Sequence, residues 1–316
     1  MNTVFPFNGS SVDRRRLVKG LVGAGLGWSL ARSMPLLAAS PADLSSLGLP
    51  TIDVTVTADS FEGIPETLTA GRYLVTVTGP PDVDWGATVA FVKPYGITTD
   101  EFFTMFGPPA GGDATPASDA DTGETTPLPT FVYRSDFAGG AASAPGATGS
   151  AVIDLTEGDW IAWGDNLESP QMPVVVKVTG EAAADLPEPE SDVTVTMIEF
   201  SIAVEGNLVA GDHIFRVENQ GAQPHFLEVD KVPDGTTDDD IAALYASAMT
   251  GTPVAEGLCW CDLETVAVTP SQSIGTVTWH AISLETGTYV GSCWFPTAGI
   301  GDPHAFHGMH TIFIVS

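Results

Sequence analysis

The feature that most constrains this chain is an internal repeat, because two copies of one segment have to fold in similar ways. The segment VTVTADSFEGIPETLTAGRYLVTV (54–77) matches VTVTMIEFSIAVEGNLVAGDHIFRV (193–217) almost without gaps. Further along, DLTEGDWIAW (154–163) matches SLETGTYVGS (283–292). The pattern indicates a tandem duplication, and 316 residues are enough for two domains of ordinary size.

Both copies have the pattern of a β-sheet protein. Short segments such as 73–77 and 213–217 alternate in polarity and are bounded by Gly, Pro, Asn and Asp. One apolar segment with helical spacing follows Thr237 in the second copy, and a shorter one lies near Asp100 in the first. We predict an all-β fold of two tandem Greek-key β-sandwiches, each with a short inserted helix.

The composition also suggests where the domains begin and end. We predict one domain at residues 50–180 and the second at 193–316. The acidic, Ala- and Pro-containing segment 181–192 has the composition of a linker. Within the first copy, the Gly-, Pro- and Thr-rich segment 107–129 is predicted to be a disordered excursion.

The N-terminus has the features of an export signal. Arg14, Arg15 and Arg16 precede a short apolar run that ends in small residues near position 40. The order of two arginines, apolar residues and Lys19 resembles a twin-arginine signal, so residues 1–40 are predicted to be a leader for folded proteins. The mature chain is then extracytoplasmic, with no stable membrane span after cleavage. An uncut N-terminal anchor is the alternative.

The charge balance restricts the partners of the chain. It has 40 acidic and 11 basic residues, which gives a net charge of −29. Such a charge argues against binding to nucleic acid or to an anionic membrane surface. A protein partner is therefore expected to be basic.

The histidines and cysteines, which supply the usual copper ligands, are confined to the second copy. That copy holds all the histidines and cysteines of the chain: His213, His225, His280, His304, His307, His310, Cys259, Cys261 and Cys293. The first copy has Gly164 near the position that corresponds to Cys293. The distribution predicts one functional site, in the second copy. His213 and His280 lie on strands away from the final loop and are assigned no role there.

Two stretches of the second copy, VENQGAQPHFLEV (217–229) and GTYVGSCWFPTAGIGDPHAFHGMHTIFIV (287–315), resemble the cupredoxin family of small β-sandwich copper proteins. The resemblance covers 193–316 well and 52–179 as fold only. It implies one copper ion in the second domain, for electron transfer or copper handling, with a redox partner protein. Thiolate, imidazole and thioether ligands together suit both oxidation states of copper.

The ligands that the resemblance implies are His225, Cys293, Met309 and one more histidine from the final loop. His304 is favoured because its spacing to Met309 is usual for the family, and His307 is the alternative. Ten residues separate Cys293 from His304, which is more than copper-binding members commonly have.

The cysteines leave a second interpretation open. A disulfide from Cys293 to Cys259 or Cys261 would consume the thiolate and leave a metal-free binding or structural module. A disulfide between Cys259 and Cys261 is expected to be strained. That pair could instead join Met309 and a histidine in a sulfur-rich Cu(I) site.

Motifs of enzymes are missing from the sequence. It contains no His-x-His pair of the kind that a trinuclear copper centre needs, no Gly-x-Ser-x-Gly and no His-Glu-x-x-His. We therefore predict that the chain is not an enzyme.

Overall fold

The computed structural model describes residues 43–80, 86–106, 127–165, 171–183, 186, 188–250 and 257–316. The predicted leader and most of the predicted excursion at 107–129 lie outside these residues. Within the described part, no helix is both long and apolar enough to cross a lipid bilayer.

Strands form most of the described structure. Those of the N-terminal half, residues 43–183, are β1 (Thr51–Val56), β2 (Phe61–Glu62), β3 (Thr67–Thr69), β4 (Gly71–Thr78), β5 (Ala87–Lys93), β6 (Asp136–Ser143), β7 (Thr148–Leu155), β8 (Gly158–Trp163) and β9 (Val174–Thr179). Those of the C-terminal half, residues 188–316, are β10 (Val193–Ile198), β11 (Ser201–Gly206), β12 (Gly211–Asn219), β13 (Glu228–Val232), β14 (Glu264–Val268), β15 (Val277–Leu284), β16 (Gly287–Ser292) and β17 (His310–Val315).

The strands form three sheets, and one sheet contains strands of both halves. Its order is β11-β10-β12-β15-β7-β4-β1-β2, with β15 and β7 antiparallel where the halves meet. A five-stranded sheet, β3-β9-β8-β5-β6, belongs to the N-terminal half, and a four-stranded sheet, β14-β13-β16-β17, to the C-terminal half. This all-β sandwich architecture confirms the predicted fold class. The domain boundaries themselves stay a prediction.

The repeat in the sequence corresponds to repeated strand pairing. β1 pairs with β4 in parallel, as β10 does with β12. β5 pairs with β8 antiparallel, as β13 does with β16. Matching sequence segments therefore occupy matching places in the sheets.

Each half has one α-helix in its described residues, as predicted: α1 (Thr99–Phe106) and α2 (Asp238–Thr250). Both begin with a reciprocal cap. In α2, the Asp240 backbone N–H donates to Thr237 Oγ1, and the Thr237 N–H donates to Asp240 Oδ2. Thr98 and Glu101 do the same at α1.

The core of the C-terminal half continues into the N-terminal half. Phe295, in the loop after β16, is fully buried and makes edge-to-face contacts with Phe137 and Tyr133. Trp163, at the end of β8, belongs to the same apolar cluster. The final loop is thus packed against a rigid interior rather than held only by its own strands.

Candidate metal centre

His225 is held at the head of β13 by two other segments. Its backbone N–H and carbonyl both pair with Gln272, at 3.0 and 2.8 Å. Asn219, at the end of β12, donates from Nδ2 to the carbonyls of Gln223 and Gln272 and accepts from the Gly221 N–H. These bonds fix the turn before His225 and leave its backbone little freedom.

The final loop returns His304 to the side of Cys293 despite its length. The His304 N–H donates to the Phe295 carbonyl at 2.9 Å, and the Ala305 N–H donates to the Cys293 carbonyl at 2.7 Å. Pro296 and Pro303 face each other across the loop. Residues 297–302 therefore form an excursion whose two ends are close together, so the ten-residue spacing does not separate the two side chains.

Three side chains converge where these segments meet. The Nδ1 atoms of His225 and His304 are 3.0 Å apart, and each lies 3.7 Å from Cys293 Sγ. All three residues are fully buried. Because metal–nitrogen and metal–sulfur bonds are roughly 2.0–2.3 Å long, one ion can contact all three atoms. The residues present therefore fit a copper ion.

Burial also sets the protonation of these groups. It lowers the pKa of His225 to about 4 and that of His304 to about 3, so both rings are uncharged at neutral pH and offer a lone pair. Burial raises the pKa of the Cys293 thiol to about 12. The thiol therefore keeps its proton until a bound cation displaces it.

The other two candidates from the final loop lie in different surroundings. Met309 is fully buried, and its carbonyl accepts from the Cys293 N–H at 3.1 Å while its own N–H donates to the His304 carbonyl. His307 is exposed and packs against the ring of Phe200. The ring nitrogen beside Cys293 is thus that of His304 and not that of the alternative, His307.

The disulfide expectations were wrong. Cys259 and Cys261 are bonded to each other, and Cys293 is a free, buried cysteine. The two partners lie at one short turn, where their Cα atoms are 5.2 Å apart, well within the range that a disulfide spans. No disulfide therefore joins Cys293 to Cys259 or Cys261, and the Cys293 thiol is free to act as a ligand. The sulfur-rich Cu(I) site is not formed either.

His213 and His280, which were assigned no role from the sequence, have ordinary polar partners. His213 Nε2 is 2.7 Å from the Val209 carbonyl, and His280 Nε2 is 2.8 Å from Thr278 Oγ1. Neither belongs to the group formed by His225, Cys293 and His304.

Two buried acids near the cluster were not found from the sequence. Glu228 and Asp230 alternate on β13 and so point to the same side, into the core. Trp294 Nε1 donates to Glu228, and Thr265 Oγ1 donates to Asp230. Burial raises both pKa values, that of Asp230 to about 6, and each acid interacts with the other. Acids at every second position of a strand predict an exposed polar face, so the sequence did not indicate that these two are buried.

A third acid, Glu199, was missed as well. It lies in the turn between β10 and β11, and its Oε1 is 3.7 Å from His225 Nε2. The turn is remote from His225 along the chain, so only the folded structure shows the contact.

Neither a family model nor a curated protein matches this chain. Solved structures do. Reduced auracyanin from Roseiflexus castenholzii is 19% identical over 39% of this chain and 94% of its own, with a TM-score of 0.26. A multicopper oxidase from Pediococcus acidilactici is 8% identical over 85% of this chain and 59% of its own, with a TM-score of 0.22. The copper nitrite reductase of Nitrosomonas europaea is 9% identical over 84% of this chain and 93% of its own, also with a TM-score of 0.22.

These likenesses concern the cupredoxin-like fold alone, and at such TM-scores they transfer no activity to this chain. They do overturn one prediction. The conclusion that the chain is not an enzyme was wrong, because a multicopper oxidase and a nitrite reductase are among the structures that align with most of its length.

Proposed function

We propose that this protein is an exported, copper-binding member of the cupredoxin-like proteins, built from two tandem domains at 50–180 and 193–316. Its single copper ion is held by His225, Cys293, His304 and Met309 of the second domain. The observation that carries the proposal is the convergence of two imidazole nitrogens and one thiol in a fully buried position, 3.0 and 3.7 Å apart.

The chemistry of the donor set favours copper over other metals. One thiol and two neutral imidazoles, with a buried thioether next in the loop, form a soft set that suits copper in both oxidation states. When bound, copper supplies one-electron transfer. The chain positions the ligands: Gln272 and Asn219 hold His225, and the backbone hydrogen bonds of the final loop hold His304. The surrounding apolar residues exclude water from the site.

The proposal also covers the export of the protein, its redox partner and the role of the first domain. A twin-arginine leader at 1–40 would deliver the folded protein outside the cytoplasm, as its Arg14–Arg15 pair and apolar run suggest. A net charge of −29 favours a basic redox partner. The first domain would hold no copper site of this kind, because it contains neither His nor Cys.

The test is to titrate the purified chain with Cu(II). We expect one ion per chain and an intense visible absorption from charge transfer between the thiolate and copper. Cys293→Ser should abolish the colour. Cys259→Ala/Cys261→Ala, which removes two other cysteines of the same half, should keep it. A colourless wild-type protein with an unmodified Cys293 thiol would contradict the proposal.

A further inference from the structure

The turn between β10 and β11 has an unusual backbone. The two strands pair up to Ile198 and Ser201, so the turn consists of Glu199 and Phe200 alone. Phe200 has a φ of +57°, in the left-handed region that a bulky side chain rarely adopts and that Gly or Asn usually occupies in tight turns. Backbone strain of this kind persists where the surroundings demand it, often at functional sites.

Both residues of this turn contact the imidazoles of the candidate metal centre. Glu199 Oε1 lies 3.7 Å from His225 Nε2, and the Phe200 ring is edge-on to His304, with centroids 5.6 Å apart. The Nδ1 atoms of both histidines face Cys293, on the inner side. The turn therefore covers the site from outside.

Contacts of the neighbouring residues place the Glu199 carboxylate beside His225. His225 Nε2 is buried and has no hydrogen-bond partner among the described residues. The Glu199 carboxylate lies 3.7 Å from it, which is longer than a hydrogen bond but within the range of an ion pair. The carboxylate is also held by a short hydrogen bond from the Ala222 N–H. A Cβ atom at Gly221 would lie 2.6 Å from His225 Nε2 and 2.9 Å from Glu199 Oε1, so only glycine leaves the gap open.

The physical consequence follows from which nitrogen binds the metal. If Nδ1 of His225 binds copper, its ring proton has to be on Nε2, facing Glu199. A carboxylate at this position fixes the ring orientation and makes the imidazole a stronger donor. Its negative charge also favours Cu(II) over Cu(I), an effect reduced by the 30% exposure of the Glu199 side chain.

We propose, building on the copper site above, that Glu199 is a positioning residue: it orients His225 through Nε2 and lowers the reduction potential of the bound copper. Phe200 and Gly221 allow this contact, one by turning the chain and the other by leaving space.

The first test measures the reduction potential of the copper-loaded protein. Glu199→Gln should raise it, with a several-fold shift in preference toward Cu(I), where a tenfold shift corresponds to roughly 59 mV for one electron. Affinity for Cu(II) should fall about tenfold, the low end for loss of an outer-sphere partner. Glu199→Asp should restore part of both. Gly221→Ala should also raise the reduction potential and lower the affinity for Cu(II), because the added methyl group separates Glu199 from His225.

The matched control is Glu205→Gln, which removes the same charge from an exposed position of β11 without touching the site. An equal potential shift in Glu205→Gln and Glu199→Gln would overturn the proposal, because the effect would then be general charge. An unchanged potential in Glu199→Gln would overturn it too.

A second test needs no copper and separates this proposal from the copper site itself. NMR of the metal-free protein should find the His225 proton on Nε2, with the His304 Nδ1–H donating to His225 Nδ1. Glu199→Ala, which removes the acceptor, should shift His225 toward the other tautomer, whereas Glu205→Ala should not. A His225 ring protonated on Nδ1 in the wild type would contradict the role of Glu199. Failure to bind copper would instead contradict the proposed function.

Discussion

The two halves of this molecule have matching strand pairs, apart from the pairing of β3 with β9, and they differ at the end of one matching strand. β16 is followed by Cys293 of the candidate metal centre, whereas β8 is followed by Gly164 and Asp165. Asp165 is buried, and its Oδ2 accepts a hydrogen bond from the Ser271 N–H of the other half at 2.8 Å. The same place in the scaffold thus holds a candidate metal ligand in one half and a structural contact in the other.

That contact leads directly to the candidate site. Ser271 is next to Gln272, whose backbone pairs with His225, and Ser273 donates from Oγ to the Ser135 carbonyl of the N-terminal half. The Phe137 N–H donates to Ser273 Oγ. The comparison teaches that the half without His or Cys still holds the segment that positions one of the candidate ligands.

The largest expected effect concerns the choice between two histidines of the final loop. His304→Ala should reduce Cu(II) affinity more than about 100-fold, since even outer partners of a ligand contribute 10–100-fold. His307→Ala should leave the affinity within about threefold of the wild type, because His307 is exposed and outside the cluster. Competition with a chelator measures both. Comparable losses in the two variants would mean that the ligand has been assigned to the wrong residue.

The second prediction uses the buried acids. On β13, Glu228 pairs with Ser292 and Asp230 with Val290 of β16. At the corresponding positions of the N-terminal half, Ala90 pairs with Trp163 and Val92 with Ile161 of β8. The N-terminal half therefore has the apolar residues Ala90 and Val92 where the C-terminal half has two acids. Because burial raises the pKa of Asp230 from 3.8 to about 6, the native state binds its proton more tightly than the unfolded state does. Stability therefore falls as pH rises from about 4 through about 6.

Asp230→Asn removes the part of this dependence that comes from Asp230, whereas Glu228 keeps its own. It should raise the free energy of unfolding relative to the wild type by up to about 3 kcal/mol above pH 6, and by much less near pH 4. Urea unfolding of the metal-free protein at both pH values gives the difference. A gain that is the same at pH 4 and pH 8 would show that the charge of Asp230 is not its source.

The third prediction breaks the contact between the halves. Asp165→Ala leaves the buried Ser271 N–H without its acceptor and should destabilise the protein by about 1–3 kcal/mol. Asp165→Asn is the control: its amide oxygen can still accept, and Asn tolerates the φ of +44° found here. Thermal unfolding compares the two. If Asp165→Asn is as unstable as Asp165→Ala, the carboxylate charge rather than this hydrogen bond matters.

How far the sequence could predict this molecule depends on the range of each interaction. The strands and both helices follow from local polarity patterns and caps, such as Thr237 with Asp240. The convergence of His225, Cys293 and His304 was expected from a family resemblance, not from spacing. The contacts of Glu199 and Asp165 join residues far apart in the chain, and no local pattern contains them.

The disulfide gives the smallest expected effect, and it belongs to the half that carries the candidate site. Cys259 and Cys261 are two residues apart, so their bond closes a very short loop and constrains the unfolded chain little. Cys259→Ala/Cys261→Ala should therefore lower the free energy of unfolding by only about 1.5 kcal/mol. Colour and copper stoichiometry should not change, because Cys293 is the free cysteine. Urea unfolding, with copper titration of the same variant, measures both. A loss of more than about 4 kcal/mol would mean that this turn, which packs Trp260 against Tyr245, stabilises the C-terminal half through more than loop closure.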